Sequence, residues 1–457
     1  MSLSQALAQF AFRLKLEDIP QEVVANARLR LLDTVGVCLA SAGMQYADGI
    51  AQVVAEQGAS AEATMIGSGR RAAAGWAALY NGALAHGNDY DDTHSVALMH
   101  ASAVVMPTVL AIGERLKASG AEVITAAIAA YETALRIGMS VSSAFHARGF
   151  HTTSVCGIFA AAIGAGKLLR LDAQQIAHAI GIAGSQASGS LEFLSDGAWT
   201  KRMHPGWAAH AGIIAAQLAG NGFTGPATAL EGRFGLFASY AGRPAPDESK
   251  LTAGLGGTWE ILNMDFKPYP CGHISHPYMD CARQLRSQHN LSPGDIAAVE
   301  LRVPSGAVPI VCEPLADKLK PASSYAACFS LPYAVAVTLV LGRAGIEEFS
   351  EERIRDPEVL AVAARIRYVV DDTLPFPQTF PGWVKIRLRD GRELERRMDA
   401  SRGSRELPMS DAELKEKFVA NVARCLPAAR ADLIWKAGMG AERLADISAF
   451  TRLLIPQ

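Results

Sequence analysis

A mainly helical protein carrying a smaller α+β part is the fold class the sequence predicts, and three observations predict it. Apolar residues recur at helical spacing through most of the first 260 residues. Beyond about residue 260 the pattern turns to alternation, with a hairpin signal at Asp390-Gly391. Helical spacing then returns behind a capping-box sequence, Ser410-Asp411-Ala412-Glu413. With 457 residues, half of them hydrophobic, the chain has material for a large core and for two or three domains.

Each element follows from local chemistry. Pro20 opens a helix reaching Ala42, because proline is tolerated in a first turn and VVANARLRLLDTVGVCLA keeps helical spacing. Arg71–His86, Ser102–Lys117, Ala121–Ser143, Thr153–Leu169 and Pro205–Leu218 are the next expected helices. Many are lined with Ala and Gly, and small side chains let helix axes approach closely, so a compact bundle is expected. Ala297–Val303 and Ile366–Val370 read as strands. In Trp383–Met398, Val384, Ile386 and Leu388 face one way and Lys385, Arg387 and Arg389 the other, with Asp390-Gly391 turning the chain. The final helices are expected to pack back onto the first ones. The expected domains are a helical one from residues 1–265 and 401–457, and an inserted α+β lid from 266–400.

Charge and cysteine usage exclude several classes. Lys plus Arg number 43 against 45 Asp plus Glu, which argues against a nucleic-acid-binding face as the main function. The seven cysteines are odd in number and contain no CxxC, so no disulfide framework is expected and a cytoplasmic location is. The N-terminus lacks the layout of a signal peptide. Residues 152–166, 203–230 and 321–342 carry no Asp, Glu, Lys or Arg, yet prolines and polar residues interrupt the longer two. Helices buried in protein are expected there, and no membrane span.

All eleven histidines lie between His86 and His289, and several of them fall in four polar constellations. In His86-Gly-Asn-Asp89-Tyr-Asp-Asp-Thr-His94, with His100 and Ser102 following, a carboxylate orients a histidine, or the run is an Asx-rich turn without function. Ser102 is expected to cap the next helix and to place His100 near its positive end. His151 begins another helix, whose dipole favours a neutral, proton-accepting imidazole. Lys201 and Arg202 precede a helix expected at Pro205, a combination suited to carboxylate or phosphate. The last constellation, Phe266-Lys267-Pro-Tyr-Pro-Cys271, is followed by His273 and His276. That pair lacks a third ligand at diagnostic spacing, so no metal and no cofactor is expected. Cys271 reads as a buried structural thiol. No phosphate loop, dinucleotide-binding fingerprint or nucleophile elbow is present.

Taken together, NGALAHGNDYDDTH with His100, GFHTTSVCGIFAAA, TKRMHPGWAAHAG with GFTGPATALEG, KPYPCGHISH and FSLPY resemble the MmgE/PrpD family over most of the chain. Where many members have His-Pro-Ser, this chain has His100-Ala101-Ser102, a looser turn. The resemblance implies a helical domain plus a smaller α+β lid, a homodimer, and a small polycarboxylate substrate, with no nucleic acid and no membrane as partners. It also implies the polar positions of a pocket: Asp89, His100, His151, Lys201, Lys267, His276 and Tyr333. Arg202 joins Lys201 as a cation for the substrate.

The implied reaction handles a carbon next to a carboxylate, which needs a neutral base and cations for the developing charge. His151 is assigned as base and His100, oriented by Asp89, as acid, an assignment that can be reversed. His276 and Tyr333 are positioning donors. The leading expectation is a metal-independent lyase that removes water from 2-methylcitrate or a similar hydroxy-tricarboxylate. Decarboxylation of cis-aconitate, epimerisation of an iminodisuccinate-type acid and non-catalytic binding of a small acid are the alternatives. Lys267 and His276 are expected at a domain seam that closes on substrate, the alternative being a structural ion pair at Lys267.

Overall fold

The computed structural model describes residues 1–58, 60–242, 245–376 and 379–456. The chain divides into two compact units. One comprises Met1–Gly87, Asp91–Met264 and Ser410–Gln457, the other Asn88–Tyr90 and Asp265–Met409.

The first unit is helical. The elements that build its polar centre are α1 (Gln21–Ser41), the short strands β1 (Ala63–Met65) and β2 (Arg70–Ala72), α2 (Ala74–His86), α3 (Ser102–Leu116), α4 (Gly120–Val141), α5 (Thr152–Leu168), α6 (Ala173–Gly184) and α7 (Thr200–Gly220). Helix α5 carries no charge before Lys167 and is buried almost throughout, with α3, α4, α6 and α7 packed around it. Two contacts show why the small residues are there. A Cβ on Gly206 of α7 would lie 2.1 Å from the Leu79 carbonyl oxygen of α2. One on Gly212 would lie 2.4 Å from the Ala161 Cβ of α5.

Two helix starts differ from expectation. Arg71 does not begin α2, because Arg70–Ala72 pairs antiparallel with Ala63–Met65. The buried Glu114 explains the strand: its carboxylate accepts from the Thr64 amide at 2.8 Å and hydroxyl at 2.9 Å, and also pairs with Arg71. Helix α7 starts at Thr200 rather than Pro205. Proline removes one intrahelical donor near the start of the helix, and five residues coil ahead of it. Residues 152–166 fall within buried helix, whereas 203–230 leave helix after Gly220 for a mostly exposed turn, and among the described residues no helix is long and apolar enough to cross a membrane.

The second unit holds a four-stranded sheet in the order β4-β3-β5-β6, with β3 (Ile296–Val303), β4 (Ile366–Val370), β5 (Gly382–Leu388) and β6 (Glu393–Met398). The β3–β4 pair is parallel and the other two are antiparallel. Asp390-Gly391 turns the hairpin, with Gly391 at φ 91°. Val384, Ile386 and Leu388 join a core with Val299 and Leu301 of β3 and residues of α8 (His276–His289) and α9 (Leu331–Leu341).

After the sheet the chain returns to the first unit through α10 (Asp411–Val422), whose Ser410–Glu413 capping box forms as read from the sequence. Lys417 of α10 reaches Asp33 of α1 at 2.7 Å, in the interior. A second buried pair lies on α4, where Glu132 and Arg136 are 3.5 Å apart. The Arg136 guanidinium also donates to the carbonyls of Lys250, Ala253, Gly254 and Thr258. Burial pushes the Glu132 carboxyl up to about 7, against the opposing pull of backbone donors at Glu260 and Ile261 and of Arg136.

Gly206→Ala is expected to cost about 1–3 kcal/mol, the usual range for overpacking. Chemical denaturation checks it, and unchanged stability would contradict the close α2–α7 approach. Glu132 generates a pH prediction. Its folded-state value lies above the ordinary 4.5, so its contribution is fully present below that pH and is lost as pH rises through about 7. Stability should therefore fall from about pH 5 to about pH 8, and Glu132→Gln should flatten the fall. The same slope in both proteins would contradict the assignment.

Candidate active site

The polar centre of the first unit begins where α2 ends. His86, its last residue, is buried and places Nδ1 2.6 Å from Asp91 Oδ2. The next acid, Asp92, lies 3.4 Å from Arg30 Nη1 of α1 and accepts from the Ser102 amide at 3.3 Å and from its hydroxyl. Asp92 thereby caps α3. The capping role that the sequence suggests for Ser102 is not realised, because Ser102 is the first helical residue and its Oγ meets Asp92 and, at 2.5 Å, the Tyr131 hydroxyl. Burial raises the Asp92 carboxyl to about 6 although Arg30 and Ser102 pull it down.

His100 precedes α3 as expected. Its Nδ1 is 2.8 Å from the Asp92 carbonyl oxygen and 3.2 Å from Thr93 Oγ1, with Asp91 Oδ1 at 4.0 Å. Its amide donates to Thr153 Oγ1 of α5 at 3.0 Å, which ties the loop to that helix. A carbonyl oxygen only accepts, so Nδ1 of His100 carries the proton.

His151 is the N-cap residue of α5. Its ring stacks 5.5 Å from that of His86 and lies 6.3 Å from that of His100, while Nδ1 is 3.1 Å from Nδ1 of His204 on α7. Burial holds His151 well below the ordinary imidazole range, reinforced by His86, Lys201, His204 and His146. His204 and His146 are each lowered to about 4, by burial and then by Lys201. Lys201 and Arg202 lie in the first turn of α7, both buried. The Arg202 guanidinium stacks 4.6 Å over the Tyr46 ring. One ring nitrogen each from His86, His100 and His151 lie within 4.8 Å of one another, the one metal-capable group among the described residues.

The second unit holds the other cluster. Asp89 turns the chain at φ 51°, and Lys267 Nζ donates to its Oδ1 at 3.1 Å and its carbonyl at 2.9 Å. Both are buried, so Lys267 sits in the ion pair that the sequence offers as the alternative to a closing role. His276 begins α8 with Nε2 3.1 Å from the Cys271 carbonyl oxygen, and burial keeps its imidazole well below the ordinary range. His273 is lowered to about 3 by burial and then Lys267, and its ring stacks 4.7 Å from Phe380. Cys271 is buried with its thiol pushed far up, an inert structural residue as read.

One assignment changes. The orienting of His100 falls to the Asp92 carbonyl and Thr93, while the Asp89 carboxylate is engaged by Lys267. Tyr333 lies inside the second unit, where it donates its hydroxyl to the Glu348 carbonyl at 2.7 Å and packs edge-on against Phe349. His86, Asp91 and His204 are additions. Their signal was the histidine density itself, since His86 and Asp91 meet only through the turn between them.

Residues 5–249 match the MmgE/PrpD N-terminal domain and residues 269–439 the MmgE/PrpD C-terminal domain. A cis-aconitate decarboxylase of Aspergillus terreus is 28% identical, the alignment covering 99% of this chain and 96% of the relative. The cis-aconitate decarboxylase of Homo sapiens is also 28% identical, over 99% of this chain and 94% of its own. A 2-methylcitrate dehydratase of Cupriavidus necator is 28% identical over a shorter stretch, 41% of this chain and 40% of the relative. With both domains matched in order over most of its length, the chain belongs to the MmgE/PrpD family.

Proposed function

We propose that the protein is a lyase acting on a small tricarboxylic acid by histidine acid/base chemistry, with decarboxylation of a cis-aconitate-type substrate as its first reading. One observation carries the chemistry: a neutral, buried His151 stacked on His86 and near His100, beside the Lys201 charge. Helices α5 and α7 both begin without an acidic residue or a side-chain cap. Their N-termini and Lys201 suit substrate carboxylates. Arg202 adds a cation in the same turn. Lys267 and His276 of the second unit remain substrate-binding candidates, with the Lys267 charge already balanced by Asp89.

Loss of CO₂ leaves the electron pair of the broken C–C bond on carbon as a carbanion conjugated with the remaining acid. The pair is quenched at carbon by the Nε2 proton of a His100 imidazolium, which returns to its neutral Nδ1-protonated form and takes a new proton from water by way of His151. Full-length similarity to proteins named cis-aconitate decarboxylases favours this reading. Water removal from 2-methylcitrate is the second reading, supported by the shorter dehydratase match. There His151 takes the proton next to a carboxylate and His100 protonates the departing hydroxyl.

NMR of product mixtures in D₂O, with cis-aconitate, 2-methylcitrate and citrate offered separately, tests the proposal. Release of CO₂ with deuterium entering the product marks decarboxylation, and a new double bond without CO₂ marks dehydration. His151→Ala should lower kcat by about 10²–10⁴-fold, the usual contribution of a general acid or base, with little change in melting temperature. Wild type that turns over none of these acids, or full activity in His151→Ala, would contradict the proposal. A homodimer is also proposed. The exposed Trp199, Met203 and Trp207 recur every four residues at the start of α7, the spacing of one helix face. Sedimentation should give a dimer, weakened by Trp207→Glu; a monomer at every concentration would contradict it.

A further inference from the structure

The three clustered histidines have a property that acid/base chemistry does not require. Each has its Nδ1 engaged: His86 by the Asp91 carboxylate at 2.6 Å, His100 by the Asp92 carbonyl at 2.8 Å, and His151 by His204 at 3.1 Å. Histidines that ligate metals are held in this way, with the nitrogen away from the ion hydrogen-bonded to a carboxylate, a carbonyl or another acceptor. That outer contact selects Nε2 as the ligating atom.

We propose that the first unit contains a binding site for one divalent transition-metal ion, Zn²⁺, Co²⁺ or Ni²⁺, ligated by Nε2 of His86, His100 and His151. The size fits. A point equidistant from the corners of a 4.8 Å triangle lies at most about 2.8 Å from each. Closing onto an ion at about 2.0–2.1 Å therefore asks less than an ångström of each imidazole, within reach of side-chain rotation. Three imidazoles select borderline ions over Mg²⁺ or Ca²⁺, which take oxygen ligands. They leave a fourth tetrahedral position for water or a carboxylate of a bound acid. Lys201 opposes the ion electrostatically, whereas Asp91 and Asp92 behind two of the ligands favour it. The His100 side chain keeps 15% exposure, an opening by which an ion arrives.

The site does not depend on which reaction the protein runs. Its consequence does, and rests on the reading above: an ion that takes the Nε2 lone pair of His151 removes the base. The metal is then an inhibitor competing with substrate, not a cofactor.

The test titrates chelator-stripped full-length protein with Co²⁺, followed by calorimetry and visible absorption. About one ion per chain is expected, with the strong visible bands of four-coordinate cobalt, bleached by Zn²⁺ and unaffected by Mg²⁺. Asp91→Asn should weaken binding by about 10–100-fold. His86→Gln should abolish the bands. X-ray absorption of the wild-type Co²⁺ complex, which does not depend on any variant folding, should show imidazole ligation from about three histidines. Wild type that binds no Co²⁺, a cobalt shell without imidazole, or unchanged affinity in folded Asp91→Asn and His86→Gln would overturn the site. Turnover of a tricarboxylate by stripped enzyme that binds no Co²⁺ removes the metal site and leaves the lyase. Co²⁺ binding as described, without turnover of any acid, removes the lyase and leaves the site.

Discussion

Two adjacent carboxylates, Asp91 and Asp92, lie in the dry interior of the helical unit, and the arrangement around them answers to that fact. A buried charge without partners costs several kcal/mol, so the chain must surround it with donors or neutralise it. Asp92 receives Arg30, the amide at the start of α3 and the Ser102 hydroxyl, which is itself joined to Tyr131. Asp91 receives His86. Nearby, Lys417 of α10 faces Asp33 of α1, so the last helices are tied to the first by a charge pair as well as by Phe418 packing on Gly36. Such pairs rarely add stability over an apolar core, but they demand one arrangement and penalise the others.

That arrangement sets the histidines. The Asp91 carboxylate and the Asp92 carbonyl hold the Nδ1 sides of His86 and His100. His151 stands apart because its ring is positioned by His204, His86 and Phe193 and, among the described residues, is paired with no carboxylate. Burial, Lys201 and the surrounding imidazoles act in one direction, against the cation. A general base must be neutral before it reacts, and this site obtains neutrality by excluding water and by placing a lysine near it. The same lysine suits a polyanionic substrate. One positive charge thereby serves both needs.

Much of this was legible in the sequence because it is local. The Asp390-Gly391 hairpin and the Ser410–Glu413 box depend on residues a few positions apart, and they form where read. His100 and His151 were found at helix starts for the same reason. What escaped depends on distant partners. Arg71 reads as helix until Glu114, 43 positions later, draws it into a strand. Ser102 reads as a cap until Asp92 arrives to do that work. Nothing local shows that Glu348 offers its carbonyl to Tyr333. Asp89 is separated from Asp91 by a single residue, yet its left-handed turn gives it to Lys267 instead of a histidine.

Burial keeps His151 neutral, and backbone contact fixes the tautomer of His100. Long-range proton–nitrogen correlation spectra of ¹⁵N-histidine-labelled protein at neutral pH test this most directly, with His151→Ala and His100→Ala assigning the signals. The account predicts a neutral imidazole pattern for His151, one ring nitrogen protonated and one bare, and the Nδ1-protonated form for His100. An imidazolium pattern at His151, or a proton on Nε2 and not Nδ1 at His100, would contradict it.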